Sequence, residues 1–347
     1  MPKVMAYEDA LAEARAAGGK LHLMLGNGFS IACRPDLFRY GALLDEASFE
    51  GATGNLHQVF EMLGTTDYEQ VIQHLELAAG LLEMYGADVA VADTLRRDAQ
   101  IVRSDLAATL AGRHPDNPGD IDEQEFRAVR EFLHDFERIY TLNYDMLLYW
   151  AIMQDVPPPV SRNDGFTNAE DPDADYVVWE PYLDYRNQRI FFLHGGLHLY
   201  DTGTEISKIT WSRTGVPLVE QIRSALNERR YPLIVTEGSS DAKEGRILHN
   251  AYLNHAIRSL AFISGNLFIY GHSLAENDEH ILRRIEDGGV TRIYISLHGD
   301  PTSAVNNAIV ARAEQMAARR RSNSPKSPLT VAFFDADSAH PWTRSDS

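Results

Sequence analysis

Lys20-Leu-His-Leu-Met-Leu25 runs directly into Gly26-Asn27-Gly28-Phe29-Ser30. An apolar run of strand length, stopped by two glycines one residue apart and followed by a serine, reads as a parallel strand turning sharply into a helix beneath a phosphate group. Gly26 and Gly28 can take backbone angles closed to other residues and let main-chain N–H groups approach an anion. Ser30 can cap the helix or bond a phosphate oxygen. A tight strand-to-helix turn with no ligand looks the same, so the stretch points to an α/β nucleotide fold without naming an occupant.

Outward from this turn, Met5 to Ala17 is an alanine-rich helix stopped by Gly18-Gly19. Downstream, strands are expected at Arg138–Leu142, Arg189–Leu193, Tyr231–Thr236, Asn266–Tyr270, Thr291–Leu297 and Leu329–Phe334. Each is apolar on both faces and separated from the next by helix, which predicts a Rossmann-like parallel sheet of about six to seven strands with helices on both faces. Between the first two strands lies a helical insertion at about 55–136. Thr66 and Glu69 have capping-box spacing, Val71, Ile72, Leu75, Leu77, Leu81 and Leu82 mark an apolar helical face, and two further helices are expected over about 88–112 and 121–136. Three helices exceed a simple crossover and are expected to cover the cleft. Residues 157–188, rich in Pro, Asp and Asn, read as a loop excursion from one α/β domain.

A chain of 347 residues, 44% hydrophobic and 24% charged, has ample material for such a core. Its single cysteine, Cys33, excludes a disulfide framework and a four-cysteine zinc knot. The formal charge of −18 argues against a general nucleic-acid surface, so an anionic ligand must be held by local groups. The amino-terminal stretch lacks a signal-peptide pattern and no apolar run approaches the roughly 18 residues of a membrane span, so no membrane association and a cytoplasmic location are expected.

Three more strand ends stop in polar clusters: Thr141-Leu-Asn143-Tyr-Asp145, Leu193-His194-Gly195-Gly196-Leu-His198, and Tyr270-Gly271-His272-Ser273-Leu274 continuing to Asp278-Glu279-His280. In a parallel sheet these ends converge on one edge, where open α/β sheets bind ligands. Each also has a plain reading. Asn143 or Asp145 can cap the next helix, His194 can be a buried histidine bonded to backbone, and the acidic run after Ser273 can complement a helix dipole. Four clusters on one edge favour a shared site.

As a set, these motifs resemble sirtuins. Gly26-Asn-Gly-Phe-Ser30 is similar to their Gly-Ala-Gly-x-Ser turn, Thr141-x-Asn143-x-Asp145 to their Thr-Gln-Asn-x-Asp segment, His194-Gly195 to their catalytic His-Gly, and Gly271-His-Ser-Leu274 to their Gly-Thr-Ser-Leu. The closer resemblance is to bacterial sirtuin-like proteins of prophage and phage-defence systems, which lack the zinc module. The resemblance implies a regulated NAD hydrolase, with NAD as substrate and no metal, that yields nicotinamide and ADP-ribose. It also implies a homo-oligomer, or control by a partner protein or phage-derived trigger. By analogy Asn143 bonds ribose hydroxyls and positions water, His194 is the base, and Asp145 orients Asn143 or the backbone. Gly26, Asn27, Gly28, Phe29 and Ser30 meet the pyrophosphate, and Gly271, His272, Ser273 and Asp278 the adenosine side.

Other classes remain. A non-catalytic sensor of NAD or ADP-ribose needs the same binding motifs. The NAD-dependent lysine deacylase is demoted by the missing cysteines. A dehydrogenase fingerprint wants a third glycine where Ile31 stands. A metallohydrolase can be assembled from His194 and His198, four apart, with His272, Asp278 and His280, although Gly195-Gly196 argues against the helix that spacing needs.

Overall fold

The computed structural model describes residues 2–39, 43–86, 89–181 and 187–342. Seven strands pair throughout in parallel: β1 (Val4–Met5), β2 (Leu21–Leu25), β3 (Arg138–Thr141), β6 (Ile190–Phe192), β9 (Ser264–Tyr270), β10 (Gly289–Leu297) and β11 (Thr330–Asp335). Long runs of consecutive buried residues, such as Leu267 to Tyr270 and Ile293 to Leu297, show that both faces of the sheet are covered. The spatial order is β1-β11-β10-β9-β2-β3-β6. From β2 the chain steps outward to β3 and β6, then returns to the other side of β2 and steps outward again from β9 to β11. The strand order therefore reverses between β2 and β9, the point beyond whose carboxyl ends such sheets form a ligand crevice. Leu25 lies opposite both Tyr270 and Thr141, so the polar segments after these strands leave the sheet at one level.

The insertion consists mainly of helices Leu56–Leu63, Tyr68–Met84, Val89–Arg113 and Glu123–His134. Tyr68–Met84 and Val89–Arg113 pack along each other, joined by Arg103–Glu76 and Arg96–Glu83 ion pairs. The Thr66–Glu69 capping box does not form. Asp67 caps the helix by accepting from the Glu69 and Gln70 N–H groups, and the Glu69 side chain is drawn away to a buried lysine. Of the expected apolar face only Val71, Ile72 and Leu75 are buried; Leu77 and Leu81 are exposed. Arg34, just beyond the glycine turn, donates to both oxygens of Glu125 at 2.7 and 2.8 Å and ties the insertion to the crevice.

Two further expectations are corrected. The excursion at 157–188 contributes β4 (Phe166–Asn168) and β5 (Tyr176–Trp179) to a second, antiparallel sheet with β7 (Leu199–Asp201) and β8 (Ile206–Ile209), ordered β4-β5-β8-β7. Strands of three or four residues fall below the length at which alternation is readable. Tyr231–Thr236 is not a strand of the main sheet. It touches the chain after β6 through one bridge, Gly195 to Ile234, because Pro232 has no N–H for a ladder and the segment follows the turn at Gly195 instead. Expectations that fall on residues 40–42, 88 and 182–186 lie outside the described residues. Among the described residues no helix is long and apolar enough to cross a membrane.

Candidate functional site

At the crevice the two backbones touch. Gly26 N–H donates to Tyr270 O at 2.9 Å and Gly28 N–H to Gly271 O at 2.9 Å. A Cβ at Gly28 would lie 2.5 Å from Gly271 Cα, and one at Gly271 would lie 2.6 Å from Gly28 Cα, so only glycine fits on either side. This changes the reading of the turn. Its glycine amides donate within the chain, as do Phe29 N–H to Gly26 O and Ser30 N–H to Asn27 O. The Asn27 N–H is the turn amide left without a partner among the described residues. Phe29 is wholly buried behind the turn, where the Trp342 ring packs on it at 5.2 Å and the indole N–H donates to Phe29 O.

Ser30 does not cap its helix. It lies inside Gly28–Cys33, and its hydroxyl donates to Asp145 Oδ2 at 2.5 Å. Asn143 Nδ2 donates to Gly26 O at 3.1 Å and to Ser30 Oγ at 2.9 Å. Because Gly26 O only accepts, the amide orientation is fixed, and Oδ1 is left without a partner among the described residues. Asp145 Oδ1 takes the Leu147 N–H at the start of helix Leu147–Met153, so Asp145 both starts that helix and braces Asn143 through Ser30. Burial raises the Asp145 pKa, and the Ser30 hydrogen bond opposes the shift.

His194 follows β6 in a turn shaped by Gly195, whose φ of +77° and 1.9 Å Cβ-to-Leu233 O distance admit no side chain. Val235 N–H donates to His194 O at 3.0 Å, so the segment expected as a strand holds this turn. His194 Nε2 lies 3.1 Å from His280 Nε2, the rings stacked at 19°, while Nδ1 has no partner among the described residues. Burial, with the Lys243 ammonium next, pushes the His194 pKa well below its ordinary value, so the ring is neutral at physiological pH. This differs from a base of unperturbed pKa, and it favours a lone pair over a bound proton.

Beside these rings lies a buried ion cluster. Lys243, on helix Ser240–His249, is fully enclosed and donates to Glu69 Oε2 at 2.6 Å and Asp278 Oδ1 at 2.7 Å. His272 Nδ1 accepts from Leu274 N–H, so its proton sits on Nε2 and is donated to Asp278 Oδ2 at 2.9 Å. Asn277 and Tyr144 donate to Glu69 as well. Burial raises the Glu69 pKa to about 7, against the pull of Lys243. Burial also acts to raise Asp278, but Lys243 and the His272 hydrogen bond outweigh it and hold the group well below the carboxylate range. His194, Asp278 and His280 offer ligand atoms within 4.8 Å of one another, a spacing compatible with a cation. Lys243 already supplies positive charge at Asp278, which opposes a second cation there. His198, expected as a partner of His194 in the metal reading, packs instead against Tyr149 and Phe192 at 4.9 Å each.

These groups surround a cavity of about 910 Å³. Gly26, Asn27, Gly28, Asn143, Asp145, His194, Gly271, His272, Ser273 and Asp278 all line it, whereas Phe29 and Ser30 stand behind its wall. Asp67, Glu69 and Leu110 bring the insertion to the same cavity, which puts those helices at the crevice edge of the sheet. Lys243 and Trp342 were not singled out by sequence reasoning, and Glu69 only as a helix-capping residue. A lysine four residues into an ordinary polar helix and a glutamate in a first turn carry no signal of burial; a tryptophan near the end of the chain carries a weak one. A family model described as a domain of unknown function (DUF4917) matches residues 23–342. No curated protein matches the chain.

Proposed function

We propose that this chain, which belongs to the DUF4917 family, is an NAD glycohydrolase that cleaves the nicotinamide–ribose bond to give nicotinamide and ADP-ribose. The observation that carries the reading is a pair of side-chain atoms without partners among the described residues, Asn143 Oδ1 and His194 Nδ1, on two residues that line the cavity at the strand-reversal crevice of a Rossmann-like sheet. Departure of nicotinamide leaves an oxocarbenium-like ribose, and the nucleophile is water. Two such atoms suit that chemistry: Asn143 Oδ1, a fixed acceptor, orients water or a ribose hydroxyl, and His194 Nδ1, in the tautomer that leaves it bare, takes the proton. Asn143 cannot turn away, since both its N–H bonds are engaged. A cavity of about 910 Å³ has room for a dinucleotide.

Unregulated cleavage of a central cofactor would be lethal to the cell. We therefore place the activity in the cytoplasm as an effector of anti-phage defence, held inactive by the helical insertion, by self-assembly or by a partner until a trigger arrives. The experiment follows NAD, nicotinamide and ADP-ribose with purified protein, and cellular NAD after phage challenge, for wild type, Asn143→Ala and His194→Ala. Each variant should lose about 100- to 10,000-fold in turnover, the size of a positioned acid–base contribution. Chelators should leave wild-type activity intact. Equal NAD levels in all three strains, with NAD still bound by wild type, would replace the hydrolase with a non-catalytic sensor, and zinc whose removal abolishes activity would restore the metal reading.

A further inference from the structure

We propose that His280, backed by Ser240, is a positioning residue that sets the tautomer of His194 and draws the reaction's proton out of the cavity; this rests on the hydrolase reading. Three side chains stand in line. His194 lines the cavity, its Nδ1 without a partner among the described residues; its Nε2 is 3.1 Å from His280 Nε2; His280 Nδ1 is 3.2 Å from Ser240 Oγ; Ser240 Oγ also accepts the His280 backbone N–H at 2.8 Å. His280 is buried and does not line the cavity, whereas Ser240 is half-buried. The line thus runs from the cavity wall through a buried ring to a half-buried hydroxyl.

The tautomers follow from the base role. For Nδ1 of His194 to be a base, its proton must sit on Nε2, pointing at His280 Nε2, which must then accept. His280 in turn carries its proton on Nδ1 and donates it to Ser240 Oγ. A partner that can only donate would force the opposite tautomer and aim an N–H at the substrate. The remaining charged and titratable groups facing His194 are Lys243 from helix Ser240–His249, and Asp278 and His272 from the segment after β9. Both His272 nitrogens are already engaged, and Lys243 is locked between two carboxylates. His280 is the neighbour left to exchange a proton.

NAD hydrolysis near neutral pH releases one proton, and the line balances it. Water oxygen bonds to the ribose carbon as the carbon–nitrogen bond breaks, its electron pair neutralising the pyridinium. The water proton goes to His194 Nδ1, the His194 Nε2 proton to His280 Nε2, the His280 Nδ1 proton to Ser240 Oγ, and the hydroxyl's own proton to bulk water. After product release the same shifts in reverse restore the starting tautomers, as His194 Nδ1 gives its proton to cavity water.

Ring-nitrogen NMR on the full chain labelled in histidine, together with steady-state kinetics on NAD, tests the inference. The wild type should show His194 with Nδ1 bare, and His280→Phe should mix both tautomers. In that variant kcat should fall about 10- to 100-fold with KM changed less than about twofold. His280→Gln, which can accept at the same place, should recover part of the loss, and Ser240→Ala should cost several-fold, about 3 to 10. Thermal melts identify any variant that has simply unfolded, and Ser240→Ala, at the half-buried end, then carries the comparison. A His194 tautomer unmoved by both His280 variants, or a kcat equal to wild type in them, overturns the relay whatever the reaction. The expected tautomer response in a wild type that binds NAD but leaves cellular NAD unchanged after phage challenge supports the proton line and removes the hydrolase.

Discussion

Lys243 is the residue on which the site's charge balance turns. Its ammonium is enclosed at zero exposure between Glu69 and Asp278, and these two carboxylates push its pKa up although burial alone would lower it. Replacing one member of such a group strands the others. Lys243→Met should therefore destabilise the fold by about 3–5 kcal/mol in urea titration at pH 7, and Glu69 or Asp278 should take up a proton to avoid two adjacent buried charges. Glu69 is the natural site for it, since its pKa is already raised to about 7. The double variant Lys243→Met, Glu69→Gln should recover part of the loss; a double variant no more stable than the single one would show that packing, and not charge, sets the cost. The same residue shows where sequence reasoning stopped. The polarity of Asn143, Asp145 and His194 at strand ends was legible because a strand end in a parallel sheet has one destination. Lys243 became a site residue only because the fold brought the first turn of an insertion helix against it, 174 positions away in sequence.

At the level of elements, the main sheet was readable because its strands are buried on both faces and so appear as unbroken apolar runs. Gly26-Asn27-Gly28 marked the strand from which the order reverses. What the turn was for proved different: its glycines exist for contact with Gly271, a backbone from the neighbouring strand that no local pattern announces. The second sheet was hidden in three- and four-residue strands, and Val4–Met5 is shorter still. The carboxyl-terminal segment was equally silent, yet Trp342 clamps the glycine-turn helix through Phe29 and reaches Phe126 on the insertion at 6.4 Å. Removing a buried indole leaves a cavity and a carbonyl without its donor. Trp342→Ala should cost about 3–5 kcal/mol and should speed amide exchange across Gly28–Cys33 more than across β10. Uniform loss of protection over both elements would mean that Trp342 supports the whole core and not the turn.

For the whole molecule, the buried histidines predict how stability answers pH. His22, His114 and His280 are each lowered by burial to about 4. In the unfolded chain they titrate at about 6.5, so as pH falls below that value the unfolded state takes up protons that the folded state refuses. Their contribution is present above 6.5 and is lost between 6.5 and about 4. Glu69 works in the other direction: with its folded pKa raised to about 7, its contribution is present below the unfolded value of 4.5 and is lost as pH rises through 7. Between these limits the three histidines, joined by His194 and His198, which burial lowers further, outnumber the carboxylates that burial raises, Glu69, Asp145 and Glu237, and each proton is worth up to about 1.4 kcal/mol per pH unit. Stability should therefore fall as pH drops from 6.5 to 5. His114 isolates the effect, because it lies away from the ion cluster and its contacts define its neutral tautomer: Nδ1 donates to Pro115 O at 3.1 Å, and Nε2 accepts Met146 N–H at 3.2 Å. A second proton would break the latter bond. Calorimetry at pH 5 should show proton uptake on unfolding, smaller by nearly one proton in His114→Leu, even though that variant is less stable at pH 7 for want of the Met146 acceptor. Identical proton uptake in wild type and variant would mean that His114 titrates alike in both states, and that the acid sensitivity of the fold lies elsewhere.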